Sequence, residues 1–117
     1  MKIAGTAYVK ADGKQYTLGG SLTVSVNEFT REGQAGLSGV AGYIEKPKVP
    51  YIECEMLTTK EFSSQELEGI TDATITAELV NGKTYLLSNA WQAGDIEINA
   101  AEGTTTIRFE GMKGKEL

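Results

Sequence analysis

The stretch AYVKADGKQYTL, residues 7–18, sets the expected class of the fold. Apolar and polar residues alternate on both sides of Asp12-Gly13, a dipeptide typical of the two-residue turn in a β-hairpin. A turn of that length pairs Val9 with Tyr16 on one face of the ribbon and Lys10 with Gln15 on the other. The stretch therefore predicts an antiparallel hairpin.

The same alternation continues along most of the chain. A second two-residue turn is predicted at Asn81-Gly82, which would set Leu79 opposite Thr84 and Thr76 opposite Leu87. Further strands are predicted in SLTVSVNEF (21–29), VPYIECEMLTT (49–59), ATITAELVNGKTYLL (73–87) and DIEINAAEGTTTIRFEG (95–111).

One segment, SSQELEGI (63–70), favours a short helix. Ser63 and Glu66 have the spacing of a capping box, and Gly69 lies near the expected end of the helix. We expect one mainly β domain over residues 1–117, a β-sandwich or small barrel of about seven strands with this helix at one end. The polar residues 112–117 are expected to form a flexible tail.

Composition excludes several classes of function. The chain has 117 residues with 16 acidic and 11 basic side chains, a net charge of -5 that disfavours tight binding of nucleic acid. The absence of histidine excludes Ser-His-Asp and Cys-His catalysis and any zinc site that uses imidazole. The single cysteine, Cys54, cannot form an internal disulfide. No apolar run reaches transmembrane length, so we expect a soluble protein made in a reducing cytoplasm, without membrane anchoring.

The glycine-rich segment GQAGLSGVAG, residues 33–42, has a glycine at every third position. A phosphate-binding loop would need Gly-Lys-Ser/Thr at its end, and a dinucleotide site would need a Gly-x-Gly opening, and both are missing here. We expect a long flexible loop at residues 31–47. Because it carries little charge, we interpret it as an assembly arm that becomes ordered against another protein surface. Its candidate contact residues are Gly33, Gly36, Leu37, Gly39, Val40, Gly42 and Tyr43.

The sequence gives little support for a catalytic site. Glu53 and Glu55 lie two apart on one strand face, about 7 Å from each other, near the separation that glycosidases use. No apolar pocket is indicated that would raise the pKa of either carboxyl, so a solvated strand face is favoured. Cys54 is predicted to be a buried, inert core residue, and Trp91 either core or contact surface. We predict no catalytic residue, no cofactor and no metal site.

Two strand faces suggest surfaces rather than core. Tyr85 and Leu87, placed beside Thr76 and Glu78 by the predicted register, form a mixed face that suits a subunit interface. A second face is polar but uncharged, and it consists of Ser21, Thr23, Ser25 and Asn27.

Three segments taken in order, GVAGYIEKPKVPYIECE (39–55), ATITAELVNGKTYLLSNAW (73–91) and EGTTTIRFEG (102–111), resemble the tail tube proteins of Mu-like contractile bacteriophages. The resemblance implies a structural subunit rather than an enzyme. Such subunits form hexameric rings that stack into a hollow tube inside a contractile sheath, with one sheet of each subunit lining the lumen. The tube conducts DNA during infection, and the loop from Gly33 to Pro47 would reach a neighbouring subunit or ring.

The resemblance also implies partners and a location. The partners are other copies of the chain, the tail sheath, a baseplate or initiator protein and the tape-measure protein, and DNA passes through without specific binding. The protein would be part of the virion tail, assembled in the cytoplasm of the bacterial host. A lumen that lets DNA slide needs hydroxyls and negative charge, which suits the face formed by Ser21, Thr23, Ser25 and Asn27. Two alternatives remain open: a small-ligand or carbohydrate-binding β-sandwich, and an enzyme that uses Glu53 and Glu55.

Overall fold

The computed structural model describes residues 7–60, 62–79 and 81–117. These residues form ten strands and one helix. They are β1 (Ala7–Ala11), β2 (Lys14–Tyr16), β3 (Leu18–Ser25), β4 (Phe29–Gly36), β5 (Gly39–Pro47), β6 (Tyr51–Leu57), α1 (Ser64–Glu68), β7 (Ala73–Leu79), β8 (Thr84–Ala93), β9 (Ile98–Asn99) and β10 (Thr104–Glu116).

One antiparallel sheet carries most of the fold. Its strands lie in the order β2-β1-β7-β8-β10-β6-β3, with β9 paired to β10, and the sheet curls into a half-barrel. The inner face holds the core, in which Leu67 of α1 is fully buried. This confirms the expected mainly β class with one short helix. The other members of the fully buried core are Val9, Ile52, Met56, Ile75, Ala77, Leu87, Ala90, Ile107 and Phe109.

The first hairpin forms as its sequence predicts. Asp12 and Gly13 have φ angles of 49° and 88°, the left-handed values that a type I′ turn requires at both central positions. Val9 pairs with Tyr16, and Lys10 pairs with Gln15. Asp12 also ties the turn to β7, because its carboxylate accepts a hydrogen bond from the Thr74 N–H at 2.9 Å.

The second hairpin differs from its predicted register by one residue. The Leu79 N–H donates to the Lys83 carbonyl at 2.9 Å, so three residues rather than two lie in the loop. Gly82 takes the left-handed conformation at φ 93°, as the third residue of such loops commonly does. Ile75 consequently lies opposite Leu87, which faces the core.

The segment at residues 31–47 is a β-hairpin rather than the irregular loop expected from its glycines. β4 and β5 pair with each other in a separate two-stranded sheet, and Gly36 opposite Gly39 closes the turn at Leu37-Ser38. All residues of both strands are exposed. The repeated glycines are compatible with these strands because the ribbon is exposed along its length and needs no side chains for packing.

Residues 112–116 extend β10 rather than forming the frayed tail expected from their polarity. Lys113 pairs with Ser88, and Glu116 pairs with Tyr85. The Glu116 carboxylate also contacts the Lys83 ammonium at 2.7 Å. The C-terminal half of β10 is therefore held by β8 along its length.

The helix begins as predicted. The Ser63 hydroxyl accepts a hydrogen bond from the Glu66 N–H at 3.2 Å, and Gly69 forms the C-cap. Glu66 does not complete a capping box, because its carboxylate instead binds the Lys14 ammonium at 2.8 Å and links α1 to β2. Within the described residues, no helix combines the length and apolar character needed to cross a bilayer.

Candidate assembly surfaces

The hairpin from Phe29 to Pro47, which we call the arm, exposes several large apolar side chains. Side chains alternate across a strand, so the observed register places Phe29, Tyr43 and Val40 on the same face. Those three residues are 55%, 61% and 87% exposed. Leu37, at the turn, is fully exposed. Large apolar side chains thus line an element that no other part of the described chain covers.

Charged pairs on the arm stabilise its shape. Arg31 contacts Glu45 at 3.2 Å and Lys46 contacts Glu32 at 2.7 Å, so both pairs bridge β4 and β5. The Arg31 guanidinium also lies 5.7 Å from the centre of the Tyr43 ring. These contacts are exposed and individually weak, but they occupy the half of the arm nearest its root. The half nearest the tip, residues 34–43, contains no charged residue.

The root of the arm is fixed against the main sheet. The Lys48 N–H donates to the Glu28 carbonyl at 2.8 Å, and the Lys48 ammonium donates to the Ser25 hydroxyl. Gly114 of β10 approaches Val26 so closely that a Cβ at position 114 would lie 2.9 Å from the Val26 backbone. The direction in which the arm leaves the sheet is therefore set by packing.

The outer face of the main sheet is polar. Thr23 of β3 pairs with Glu53 of β6, and Glu53 pairs with Arg108 of β10. Arg108 Nη1 donates to Glu53 at 3.0 Å, Arg108 Nε donates to Glu110 at 3.0 Å, and its guanidinium stacks 3.9 Å from the centre of the Tyr51 ring. Partial burial acts to lower the pKa of Arg108, but the hydrogen bonds to both glutamates outweigh it and raise the pKa.

An acidic groove of about 500 Å³ runs along this outer face. Among the described residues of its lining are one cation, Arg108, and five carboxylates, those of Glu53, Glu55, Asp95, Glu97 and Glu102. None of these described lining residues is aromatic. Across residues 7–60, 62–79 and 81–117, no cluster of three or more acidic or cysteine side chains has the arrangement needed for a metal ion.

A second depression, which we call the cleft, opens on the inner side of the sheet. It has a volume of about 390 Å³ and lies between edge strand β3 and the ends of β7, β8 and β10. Most of its lining is apolar and half-buried, and the lining residues are Leu22, Val24, Ser25, Val26, Asn27, Leu79, Tyr85 and Glu116.

The family model described as "Phage tail tube protein" matches residues 1–116. The chain belongs to the phage tail tube protein family. It is 34% identical over 115 residues to the Mu-like prophage FluMu tail tube protein of Haemophilus influenzae, covering 97% of this chain and 94% of that one. It is 26% identical over 109 residues to the tail tube protein of Escherichia phage Mu, covering 93% of this chain and 92% of that one.

Solved structures share the fold of this tail tube protein. Hcp1 from Flavobacterium johnsoniae aligns with a TM-score of 0.61 at 12% identity, over 94% of this chain and 93% of that one. The tube-terminating cap of the anti-feeding prophage aligns with a TM-score of 0.64 at 13% identity, over 98% of this chain and 89% of that one. A chain from the sheath-tube complex of an extracellular contractile injection system, PVC, aligns with a TM-score of 0.62 at 12% identity, over 98% of this chain and 90% of that one. The family is structural rather than enzymatic, as the sequence predicts.

The predicted site residues of this tail tube protein fall on three different surfaces. Those of the arm lie together on β4, β5 and their turn. Ser21 and Thr23 are exposed on β3, whereas the Ser25 hydroxyl is engaged by Lys48. Asn27 lies beyond the end of β3, at the cleft.

The predicted interface of Tyr85 and Leu87 needs correction. Leu87 is fully buried in the subunit's own core, because the one-residue change of register turns it inward. Tyr85 is half-buried and lines the cleft. Cys54 is buried as predicted, and burial, followed by the charge of Glu53, raises the pKa of its thiol to about 12.

Sequence reasoning missed the cleft and the contacts of Arg108. Alternation places Arg108 on the face opposite Ile107 and Phe109, which the sequence shows. It does not show that β6 is the neighbour of β10, and that pairing brings Glu53 to the guanidinium. The cleft requires knowing that β3 is an edge strand, which depends on the order of strands in the sheet.

Proposed function

We propose that this tail tube protein forms hexameric rings that stack into a hollow tube, which lies inside a contractile sheath and conducts DNA into a host. The observation that carries the proposal is the arm, whose exposed apolar side chains have no cover within the described chain. Patches of this kind mark surfaces for protein association. The fold shared with a sheath-tube complex supports a tube as the product.

The outer face of the main sheet is proposed to line the lumen. Thr23 and Ser25 share it with Glu53 and Glu55, so it offers hydroxyls and negative charge. We assign Ser21, exposed on the same strand, to this face as well. Phosphates are repelled by such a surface, and DNA would slide along it without being bound. We place Asn27 at the edge of this face, since it lies beyond the end of β3.

Membership of the phage tail tube family suggests partners for this protein. We propose that the tube associates with the tail sheath, that a baseplate or initiator protein templates the first ring, and that the tape-measure protein lies within the lumen. Assembly would take place in the cytoplasm of the bacterial host. Such a template would favour the start of assembly, because ordering the exposed arm costs conformational entropy.

Sedimentation velocity over a concentration series, with negative-stain images of the same samples, tests this function. We expect rings or hollow tubes from the full chain and monomers from a variant that lacks residues 33–42. Gln34→Ser, which keeps the length and apolar residues of the arm, serves as the control and should assemble normally. A full chain that stays monomeric at every concentration, and also when offered preformed tube ends, would contradict the proposal.

A further inference from the structure

We infer that the cleft of one subunit receives the tip of the arm of a second copy, with Leu37 and Val40 as the inserted side chains. This inference rests on the proposed assembly and names the surface on which the arm docks. It is carried by three properties of the described residues: the open apolar lining of the cleft, its lack of free charge, and the distance of each tip from its own cleft.

The cleft is open because β3 is an edge strand. Among the described strands, only β6 pairs with β3, and the inward-facing Leu22 and Val24 are partly covered by the core. Leu79 and Tyr85 approach from the opposite side and leave a depression of about 390 Å³. That volume lies within the range of pockets that bind small molecules, roughly 300–1,000 Å³.

Tip and cleft match in polarity. Of the lining residues that the structure describes, only Glu116 is charged, and its carboxylate is already engaged by the Lys83 ammonium at 2.7 Å. The arm carries no charge from Gln34 to Tyr43. Docking would therefore bury apolar surface on both sides without removing an unpaired charge from water, which is the costly event in such contacts.

A tip cannot reach the cleft of its own subunit. The arm begins at Phe29, two residues beyond Asn27, which itself lines the cleft. Eight residues of β4 carry the tip about 27 Å away from that point. The pairing of β4 with β5 and the ion pairs Arg31–Glu45 and Lys46–Glu32 hold the arm as an extended ribbon. The contact of Lys48 with Ser25 holds its root against β3. The tip must therefore enter another copy, and because tip and cleft are different surfaces, the contact is heterologous and generates rings or filaments.

A mixing experiment tests the inference. Leu37→Asp combined with Val40→Asp disables the tip, and Tyr85→Asp disables the cleft. From the burial of two apolar side chains we expect each variant alone to associate at least about 100-fold more weakly than the unchanged chain. Mixed together, the two variants retain one intact tip and one intact cleft, so we expect 1:1 dimers that grow no further, detected by sedimentation velocity. Circular dichroism confirms that each variant is folded.

Cross-linking tests the same contact without disturbing the half-buried Tyr85. Val40→Cys and Asn27→Cys are placed in separate chains, both at exposed positions, and oxidised after mixing. We expect tip-to-cleft dimers to form at least tenfold faster than in the control that pairs Val40→Cys with Gln15→Cys on the far edge strand. The native Cys54 is buried and does not compete.

The outcomes separate this inference from the proposed function. Tubes from the full chain, with cross-linking at position 27 no faster than in the control, would overturn the cleft as the docking site and leave the tube intact. Mixed variants that remain monomeric while the full chain assembles would do the same. A full chain that never assembles, alone or on preformed ends, would overturn both.

Discussion

Gly114 of β10 lies so close to Val26, at the root of the arm, that position 114 has no room for a side chain. A Cβ at position 114 would lie 2.9 Å from the Cα, Cβ and carbonyl oxygen of Val26, closer than real side chains come. Gly114 has an ordinary φ angle, so glycine is needed here for space rather than for backbone freedom. At the scale of single residues, this contact couples the last strand to the arm.

Gly114→Ala should lower the free energy of unfolding by roughly 1–3 kcal/mol, because the backbone of Val26 must move to admit a methyl group. Urea unfolding of the monomer measures the change. Gly33→Ala is the matched control, since nothing lies within 4 Å of a Cβ built there. Its effect should stay within about 1 kcal/mol. Equal losses from the two substitutions would show that the contact with Val26 does not constrain position 114.

Cys54 provides a test that depends on pH. Burial, with Glu53 adding to it, raises the pKa of the folded thiol to about 12 from an unfolded value of about 8.5. The neutral thiol is thus favoured by folding, and its contribution to stability is full below the unfolded pKa and is lost as pH rises toward the folded one.

Between about pH 8.5 and pH 11 the free energy of unfolding should therefore fall more steeply for the unchanged chain than for Cys54→Ala. Chemical denaturation at each pH measures both profiles. The thiol should also react with a disulfide reagent at pH 8 only after unfolding. Parallel profiles, or rapid reaction of the folded protein, would show that Cys54 is more accessible than the structure indicates.

At the scale of secondary structure, local sequence signals predict how the two strands of a hairpin pair. They do not predict which strands of different hairpins lie side by side. Asp12-Gly13 forms the expected two-residue turn, and its registers with Val9 and Lys10 are confirmed. Asn81-Gly82 marks the second turn correctly, but the dipeptide fits two-residue and three-residue loops alike. That single residue decides whether Leu87 faces the core or the outside, because side chains alternate with a period of two.

Other features of the elements depend on partners distant in sequence. The polar residues 112–116 look like a tail until β8 is placed beside them. The glycine-rich arm looks like a loop because glycine weakens strands, and its pairing is visible only when β4 and β5 are aligned. Alternation within β3 predicts its polar face. The cleft beside it cannot be predicted in this way, because it depends on the position of β3 at the edge of the sheet.

The arm should be the least stable element of the free subunit. A two-stranded ribbon with no sheet or helix packed on it is marginal in water. Hydrogen exchange should therefore be fast at the amides of β4 and β5 in monomers and slow in assembled protein. The amides of β6 and β10, in the middle of the main sheet, serve as the internal reference and should be protected in both states. Protection of the arm that is equal in monomer and assembly would mean that no partner covers it.

At the scale of the whole molecule, each copy carries a net charge of -5 at pH 7. The acidic groove concentrates part of this charge on the outer face, while the arm tip and the cleft offer apolar contacts. Copies brought together thus gain from apolar burial and lose from mutual repulsion.

Salt should accordingly promote assembly. Raising sodium chloride from about 0.05 M to 0.5 M shortens the screening length and reduces the repulsion between copies, while apolar contacts persist. We expect a lower critical concentration at high salt, measured by sedimentation, with the arm-shortened variant monomeric at both concentrations. Dissolution of assemblies by salt would indicate that ion pairs between subunits dominate instead.

The separation of the arm tip from the cleft gives an assembly a direction. In any stack whose subunits all point the same way, one end presents unoccupied tips and the other presents unoccupied clefts. The two ends are therefore chemically different surfaces made by one chain. A protein that caps the first end must offer an apolar socket, a protein that caps the second must offer an apolar plug, and neither can bind at the wrong end. Such polarity would let a single subunit type distinguish where growth starts from where it stops.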